Sequence, residues 1–187
     1  MAGIDIVPMY FTDREEILRR LGSALERDFR TTVRYRSPWF DPEEAFDSSR
    51  GQYRASLLLK ALLADPQEEP ADRILGVTAV DLFTPVLTYV FGEAQLGGRA
   101  AVVSAHRLRN EVYGLPPNEH LLFERLRKEA MHELGHTYGL LHCPSPGCVM
   151  RASAHAEEIE LKGGRFCDGC RAIVIGGGVV AITRGAR

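Results

Sequence analysis

Three histidines and a glycine near the C-terminal end of the sequence have the spacing of a catalytic metal site. His132 and His136 are four residues apart, so on an α-helix their rings leave the same face and can bind a single ion. Gly139 can adopt the left-handed conformation that ends a helix, which would let the chain reverse and return His142 as a third ligand. Three nitrogen ligands leave a fourth position open, as catalytic zinc sites require and structural ones do not.

Glu133 supplies the acid–base group that such a site needs. It adjoins His132 but points about 100° away from it around a helix, so it would reach metal-bound water rather than the metal. Zinc on three neutral imidazoles lowers the pKa of that water towards ~7, and Glu133 would take a proton from it during attack on a carbonyl and deliver that proton to the leaving amine. The alternative is that both helical histidines are ordinary surface residues and Glu133 a solvated charge. The third histidine beyond a glycine favours the metal site.

Four cysteines downstream form a second candidate metal site: Cys143, Cys148, Cys167 and Cys170. They form two closely spaced pairs, Cys143 with Cys148 and Cys167 with Cys170, and 18 residues separate the pairs. This spacing fits a tetrahedral zinc site. Four thiolates would close the coordination sphere, so this ion would be structural and would clamp the chain that follows the histidine helix. Disulfides, a CxxC redox pair and an iron–sulfur cluster are alternatives, because four sulfurs do not identify the metal.

The histidine motif followed by Met150 is similar to that of the metzincin clan of zinc peptidases, whose methionine forms a tight turn beneath the metal. With the cysteines added, residues 132–170 resemble the archaemetzincin family. The resemblance implies two Zn²⁺ per chain, a catalytic ion on the three histidines and a structural ion on the four cysteines, with Glu133 as the general base. It also implies that Met150 lies under the imidazoles, and that the active-site cleft separates a larger upper lobe from a small lower one. A methionine outside such a motif is usually a flexible core filler.

One departure from the clan concerns the oxyanion that forms during peptide hydrolysis. Some metzincins carry a tyrosine just after the methionine, whereas Arg151 follows Met150 here. Zinc would then stabilise the oxyanion, assisted by His155, Tyr138 or a more distant group. Each has a simpler interpretation, Tyr138 as a core residue and His155 as a surface one.

The elements that must position these groups alternate between strands and helices. β-Branched and apolar runs predict strands at residues 4–8, 31–35, 74–82 and 100–105, and a hairpin or edge element at residues 83–93. Helical spacing predicts helices at residues 12–29, 51–64 and 118–139. Thr12 and Asn118 would cap the first and the third. The segment Ala101–Ala105 is a hypothetical edge strand that would pair with an extended substrate, although core packing suits it equally.

This alternation predicts an α/β fold. With the resemblance added, the expected fold is metzincin-like, with a mixed, mostly parallel sheet and helices in the upper lobe and a small, irregular, zinc-stapled lower lobe. The chain 1–187 would be a single metallopeptidase domain, divided into an upper subdomain (1–139) that ends in the active-site helix and a Cys-rich lower subdomain (140–187). On that helix, Arg125, Arg127 and Lys128 are expected on the solvent-exposed face.

Composition narrows the possible partners. The chain has 187 residues, 45% of them hydrophobic, which is enough for a sizeable core. The net charge is −2 and the 23 basic residues are scattered, which argues against a nucleic-acid partner. The N-terminus does not resemble a signal peptide, and residues 172–183 are too short and glycine-broken to span a bilayer. A cytoplasmic protein without a membrane partner is expected, in which the cysteines stay reduced and bind metal. The oligomeric state stays open, with a small preference for a monomer.

The leading functional prediction is zinc-dependent hydrolysis of peptide bonds by metal-activated water. The protein would be a peptidase or aminopeptidase, acting on a peptide or protein substrate that the sequence does not identify. The alternative is a zinc-stabilised peptide- or protein-binding module with little or no hydrolytic activity. Glu133 favours the enzyme, because a purely structural site has no need of a base.

Overall fold

The structure, a computed structural model, describes residues 3–12 and 14–176, so residues 177–187 of the expected lower subdomain lie outside the described residues. Short 3-10 turns connect some of the elements, at Pro42–Ala45, His106–Leu108 and Asn110–Tyr113. The strands and α-helices of the described part are β1 (Ile4–Met9), α1 (Glu15–Phe29), β2 (Val33–Tyr35), β3 (Phe46–Asp47), β4 (Gln52–Arg54), α2 (Ala55–Leu63), β5 (Arg73–Thr78), β6 (Leu82–Thr84), β7 (Leu87–Val90), β8 (Gly92–Ala94), β9 (Ala100–Ser104), α3 (Glu119–Thr137), α4 (Ala156–Leu161) and α5 (Asp168–Gly176).

The main sheet has the strand order β2-β1-β5-β9-β8. Its first four strands are parallel, and β8 runs antiparallel to β9. The three central strands are buried almost throughout, because helices cover both faces of a parallel sheet. Helices α1 and α3 share a core with one face, and α2 shares a core with the other. The predicted α/β fold with a mixed, mostly parallel sheet is confirmed.

The edge of this sheet lies one strand further out than expected. The hypothesis of an edge strand at Ala101–Ala105 is wrong, since β9 lies between β5 and β8 and every one of its residues is buried. The edge strand is β8, which is only partly buried. Three residues are too few for an alternation of apolar and polar side chains to predict a strand, so only the pairing with β9 identifies β8. The hairpin or edge element expected at residues 83–93 is confirmed, because β6 and β7 pair antiparallel and β8 follows them.

Two predicted helices begin later than expected. Residues 52–54 form β4 instead of the start of a helix, because they pair with β6 in a second sheet of order β3-β4-β6-β7. Thr12 does not cap the first helix. Arg14 occupies the cap position there and makes no side-chain cap hydrogen bond. These strands of two to four residues are set by their tertiary pairing and not by a local pattern.

The long helix α3 carries the candidate site and is confirmed nearly as predicted. The side chain of Asn118 accepts a hydrogen bond of 3.0 Å from the backbone N–H of Leu121, which satisfies one of the free donors at the start of the helix. Leu126, Ala130 and Leu134 are fully buried against the sheet. Among the described helices, neither α3 nor any other is long and apolar enough to cross a membrane.

The basic residues of α3 are not on a solvent-exposed face, contrary to expectation. Arg125 is only 4% exposed and donates to the carbonyl of Leu108. Arg127 donates to the carbonyl of Gly164. Lys128 donates to three carbonyls at the end of α4, those of Ile159, Glu160 and Lys162. The last carbonyls of a helix have no partner within it, so Lys128 satisfies those of α4, and Lys128 and Arg127 together hold the C-terminal segment in place.

Lys128 gives a test of this docking. Lys128→Met should lower the free energy of unfolding by about 1–3 kcal/mol, because three backbone carbonyls lose a charged donor. Urea unfolding monitored by circular dichroism measures the change. Lys60→Met, at an exposed position on α2, is the matched control and should have little effect. Equal stability of the two variants would contradict the role given to Lys128.

Candidate active site

Helix α3 and the chain after it bring the three predicted histidines together. His132 and His136 lie in the last turns of α3, and His142 returns beside them. One ring nitrogen of each lies within 4.8 Å of the others, and the ring centroids are 4.7 to 5.2 Å apart. Gly139 allows the return, since its φ of +85° is in the left-handed region that favours glycine.

Backbone carbonyls fix which nitrogen of each helical histidine faces the centre. Nδ1 of His132 lies 3.0 Å from the carbonyl oxygen of Val149, and Nδ1 of His136 lies 2.7 Å from that of Leu140. A carbonyl oxygen only accepts, so we assign the hydrogen to Nδ1 and the lone pair to Nε2 in both rings. The sequence did not predict these two hydrogen bonds, because every residue has a backbone carbonyl and residue type does not show which one will accept.

The arrangement fits a bound cation. The two Nε2 atoms are 3.1 Å apart, and in the assigned tautomers each carries a lone pair. Zinc–nitrogen bonds of ~2.0–2.1 Å at tetrahedral angles place two ligand nitrogens about 3.3–3.4 Å apart. Imidazole must be neutral to ligate, and burial lowers the pKa of His132 to about 3 and also lowers the pKa of His136. Both rings are therefore neutral near pH 7.

Glu133 lies beside the histidines and is only 7% exposed. Its side chain rests against β8, where a Cβ atom on Gly92 would come within 2.6 Å of the Glu133 Cγ. Burial raises the pKa of Glu133 well above its usual value, the Glu129 carboxylate raises it further, and Lys162 opposes the shift. A carboxylate with a raised pKa holds a transferred proton better than an exposed one, which suits a general base.

A cleft of about 740 Å³ contains these groups. Strands β7 and β8 form one wall, residues 152–155 form the other, and α3 forms the floor. Most of the wall side chains are apolar: Leu87, Tyr89, Val90, Phe91, Leu96, Leu141, Ala152 and Ala154. A largely apolar cleft with a few converging polar groups is typical of a substrate site.

Met150 lies under the turn of α3 that carries the histidines. It is fully buried, and a Cβ atom on Gly135 would overlap its sulfur. Gly135 lies between His132 and His136, so the absence of a side chain there lets the methionine approach the helix. This is the location that the family resemblance implied for Met150.

The four cysteines form a second cluster, whose sulfurs all lie within 4.8 Å of one another. None forms a disulfide, and the sulfurs of Cys143 and Cys167 are 3.9 Å apart, near the ~3.8 Å edge of a zinc tetrahedron with 2.3 Å bonds. The backbone N–H of Cys170 lowers the pKa of the Cys167 thiol to about 7, whereas burial raises the pKa of Cys148 and of Cys170. A cation would be needed to keep all four as thiolates near pH 7.

Val149 connects the two clusters. Its N–H donates to the carbonyl of Arg165 at 2.8 Å, and its carbonyl accepts from His132. Its chain neighbours are Cys148 and Met150. The cysteine cluster therefore holds the backbone acceptor that orients a histidine of the first cluster.

The two candidates for stabilising an oxyanion lie in different places. Tyr138 stacks on Phe29 with ring centroids 5.6 Å apart and does not line the cleft, whereas His155 does. Tyr89 lies beside His155, with its hydroxyl 3.4 Å from the His155 Nδ1 and donating to the carbonyl of Ala154 at 2.8 Å. The sequence did not predict that Tyr89 lines the cleft, because Tyr89 lies on β7, far from the histidine motif along the chain.

The model of peptidase family M54 matches residues 39–174, a span that contains both clusters. The chain belongs to peptidase family M54. The archaemetzincin of Methanocaldococcus jannaschii is 47% identical over 129 residues, which cover 69% of this chain and 69% of that protein. The archaemetzincin of Haloquadratum walsbyi is 33% identical over 174 residues, covering 91% of this chain and 98% of that protein.

Solved structures of related proteins share the fold. The crystal structure of archaemetzincin from Methanopyrus kandleri has a TM-score of 0.80 and 36% identity, covering 92% of this chain and 93% of that one. A zinc-dependent peptidase from Methanocorpusculum labreanum has a TM-score of 0.79 and 30% identity, covering 92% of this chain and all of that one. The predicted archaemetzincin resemblance and metzincin-like fold are confirmed, and this member of the M54 family is a zinc metallopeptidase, a hydrolase. These similarities do not favour the alternative of a non-hydrolytic binding module.

The buried histidines give a prediction for the zinc-free protein. Between pH 6.5 and about 3 the unfolded chain binds a proton on His132 that the folded chain does not, so stability falls as the pH falls through this window. The slope from this residue is up to about 1.4 kcal/mol per pH unit. Urea unfolding of the metal-free chain from pH 8 to pH 4 should show a smaller slope for His132→Asn than for wild type. His120→Asn, at an exposed position, should keep the wild-type slope, and equal slopes for all three proteins would contradict the assignment.

Proposed function

We propose that the protein hydrolyses peptide bonds with a zinc ion held by His132, His136 and His142, and with Glu133 as the general base. One observation carries the proposal. Backbone carbonyls bind Nδ1 of His132 and of His136, which leaves Nε2 of both rings free to bind an ion in the cleft that also contains Glu133. A zinc ion there supplies a Lewis acid and lowers the pKa of a water molecule. Glu133 accepts the proton of the attacking water on its carboxylate and returns it to the leaving nitrogen.

The substrate lies extended along β8. In the described part of the chain this strand is one of the two edges of the main sheet, the other being β2, and it lines the cleft directly above Glu133. A peptide can add to such an edge as a further strand, with main-chain hydrogen bonds for affinity and side-chain pockets for specificity. Membership of a peptidase family agrees with a peptide or protein substrate, and the apolar walls favour apolar side chains next to the cleaved bond.

His155 is our candidate for helping to stabilise the oxyanion, in place of the tyrosine that follows the methionine in some metzincins. Its side chain lines the cleft, and its Nδ1 lies 3.4 Å from the hydroxyl of Tyr89. That hydroxyl donates its hydrogen to the carbonyl of Ala154, so the contact with Tyr89 holds the ring in place. A ring nitrogen that carries a hydrogen would offer the oxyanion a donor.

We also propose a second, structural zinc ion on the four cysteines, which makes two ions per chain. The sulfur spacing and the absence of disulfides among these cysteines support it. This ion would staple a lower subdomain, beginning at residue 140, to an upper subdomain that ends at residue 139. Thiolate ligands persist in a reducing compartment, which favours a cytoplasmic location.

Hydrolysis is tested with a peptide library digested by the zinc-loaded protein and read by mass spectrometry. Glu133→Gln should reduce the cleavage rate by a factor of about 10²–10⁴ with unchanged zinc content, because it keeps the shape of the side chain and removes the base. Glu15→Gln, at an exposed position on α1, should cleave like wild type. Equal cleavage by wild type and Glu133→Gln would remove Glu133 from the mechanism, and no cleavage by wild type would contradict hydrolysis of these peptides.

The connection through Val149 predicts that the two metal sites depend on each other. Cys148→Ser should release the structural ion and also weaken zinc binding at the histidines, since the carbonyl that orients His132 follows Cys148 directly. Zinc per chain is measured after brief exposure to a chelator, with Ser145→Ala in the same loop as the control. Retention of a tightly held ion at the histidines of Cys148→Ser would contradict the coupling.

A further inference from the structure

Two oppositely charged side chains are buried together beside the cleft. Glu129 on α3 is 3% exposed, Lys162 just after α4 is 2% exposed, and the Lys162 Nζ lies 2.7 Å from Oε1 of Glu129. The contact is a close ion pair and not an aligned hydrogen bond, since that oxygen has no hydrogen-bond partner among the described residues. Burial removes the hydration of each ion, and an apolar pair of similar volume is often equally stable or more so. Fold stability therefore does not explain the pair.

The location of the pair connects it to catalysis. Glu129 lies one helical turn before Glu133 and lines the same cleft. Lys162 donates a hydrogen bond of 3.2 Å to the carbonyl of Arg151, the residue that follows Met150. The pair therefore joins the active-site helix to the chain that leaves the methionine turn.

The Glu133 carboxylate depends on its surroundings for its position. Side chains on an α-helix tilt towards the helix N-terminus, so Glu133 leans towards Glu129. On the other side the backbone of β8 limits it, because Gly92 packs directly against its Cγ. No described residue donates a hydrogen bond to this carboxylate. Packing against β8 and the charges of Glu129, Glu93 and Lys162 are what remain to set its direction.

We propose that Glu129 and Lys162 are positioning residues for the general base Glu133. The charge of Glu129 repels the Glu133 carboxylate and keeps it turned away from the helix N-terminus, towards the histidines. Lys162 holds Glu129 in place and fixes the chain after the methionine turn at a constant distance from α3. The inference rests on the proposed role of Glu133, and neither member of the pair needs to touch the substrate.

A second ion pair between the same two segments allows a matched comparison. Arg125 on α3 pairs with Glu160 on α4, Arg125 is nearly buried, and neither residue lines the cleft. Two double variants remove both charges of each pair, Glu129→Met with Lys162→Met and Arg125→Met with Glu160→Met. If the ion pairs only fasten the C-terminal segment to α3, both double variants should behave alike.

The experiment titrates the zinc-loaded full chain with acetohydroxamic acid, which chelates zinc through two oxygens and donates a hydrogen bond to an adjacent base. We expect the Glu129/Lys162 variant to bind it about tenfold or more weakly than wild type, because the base is misplaced. On a cleavable peptide, kcat should fall by a similar factor with little change in KM. The Arg125/Glu160 variant loses a donor to the carbonyl of Leu108, so it should be less stable yet bind like wild type.

Further variants keep the result interpretable. Glu133→Gln gives the affinity of a site without its base. Glu129→Asp keeps the charge but withdraws it by one methylene, so it should bind with intermediate affinity, and it replaces the double variant if that protein does not fold. Zinc content, measured on each sample, separates loss of the ion from misplacement of the base.

Three results would overturn the inference. The first is wild-type affinity in the Glu129/Lys162 variant, or in Glu129→Asp if only that variant folds. The second is an equal loss in both double variants, which would assign the effect to docking of α4. If Glu133→Gln binds the hydroxamate as tightly as wild type, the proposed base itself is wrong, and the role of the pair falls with it.

Discussion

The hydrogen bond from His132 Nδ1 to the carbonyl of Val149 is the contact that connects the two candidate metal sites. It selects the tautomer that turns the Nε2 lone pair of His132 towards the other histidines. The acceptor belongs to a residue between Cys148 and Met150, and its N–H is bound in turn to Arg165. One residue thus sets the orientation of a ligand, the place of the methionine and the position of a cysteine. A shift in the cysteine cluster is transmitted to the histidine through a single peptide unit.

Helix α3 meets three different environments, and its rotation must satisfy all of them. One side packs on the main sheet through residues such as Leu126 and Leu134, a second supplies cations to the end of α4, and a third carries the histidines and Glu133 into the cleft. A small rotation would expose apolar area, leave carbonyls unpaired and misdirect the ligands at once. The histidines are therefore held by the packing of the whole helix, and not only by their own contacts.

The site brings together groups that repel one another in the absence of a cation. Two ring nitrogens that carry lone pairs lie 3.1 Å apart, and four sulfurs share one small volume. Glu129 lies beside Glu133 in a buried region, with Lys162 as the adjacent counter-charge. Such unfavourable interactions are expected at functional sites, because favourable packing in the rest of the fold offsets them. The two proposed zinc ions would resolve the first two conflicts, because their charge would stabilise converging nitrogens and thiolates.

Residue type and spacing alone predicted the three histidines, Glu133, the four cysteines, Gly139 and the capped helix before them, because helical periodicity and ligand chemistry are local properties. The alternation of elements predicted the mostly parallel sheet. Only the tertiary structure decided that β8 and not β9 is the edge strand beside the cleft, that Arg125 is buried, and that Tyr89 and Glu129 line the cleft with Lys162 paired to Glu129. These depend on strand pairing, on backbone carbonyls and on contacts between distant segments, which no local pattern records.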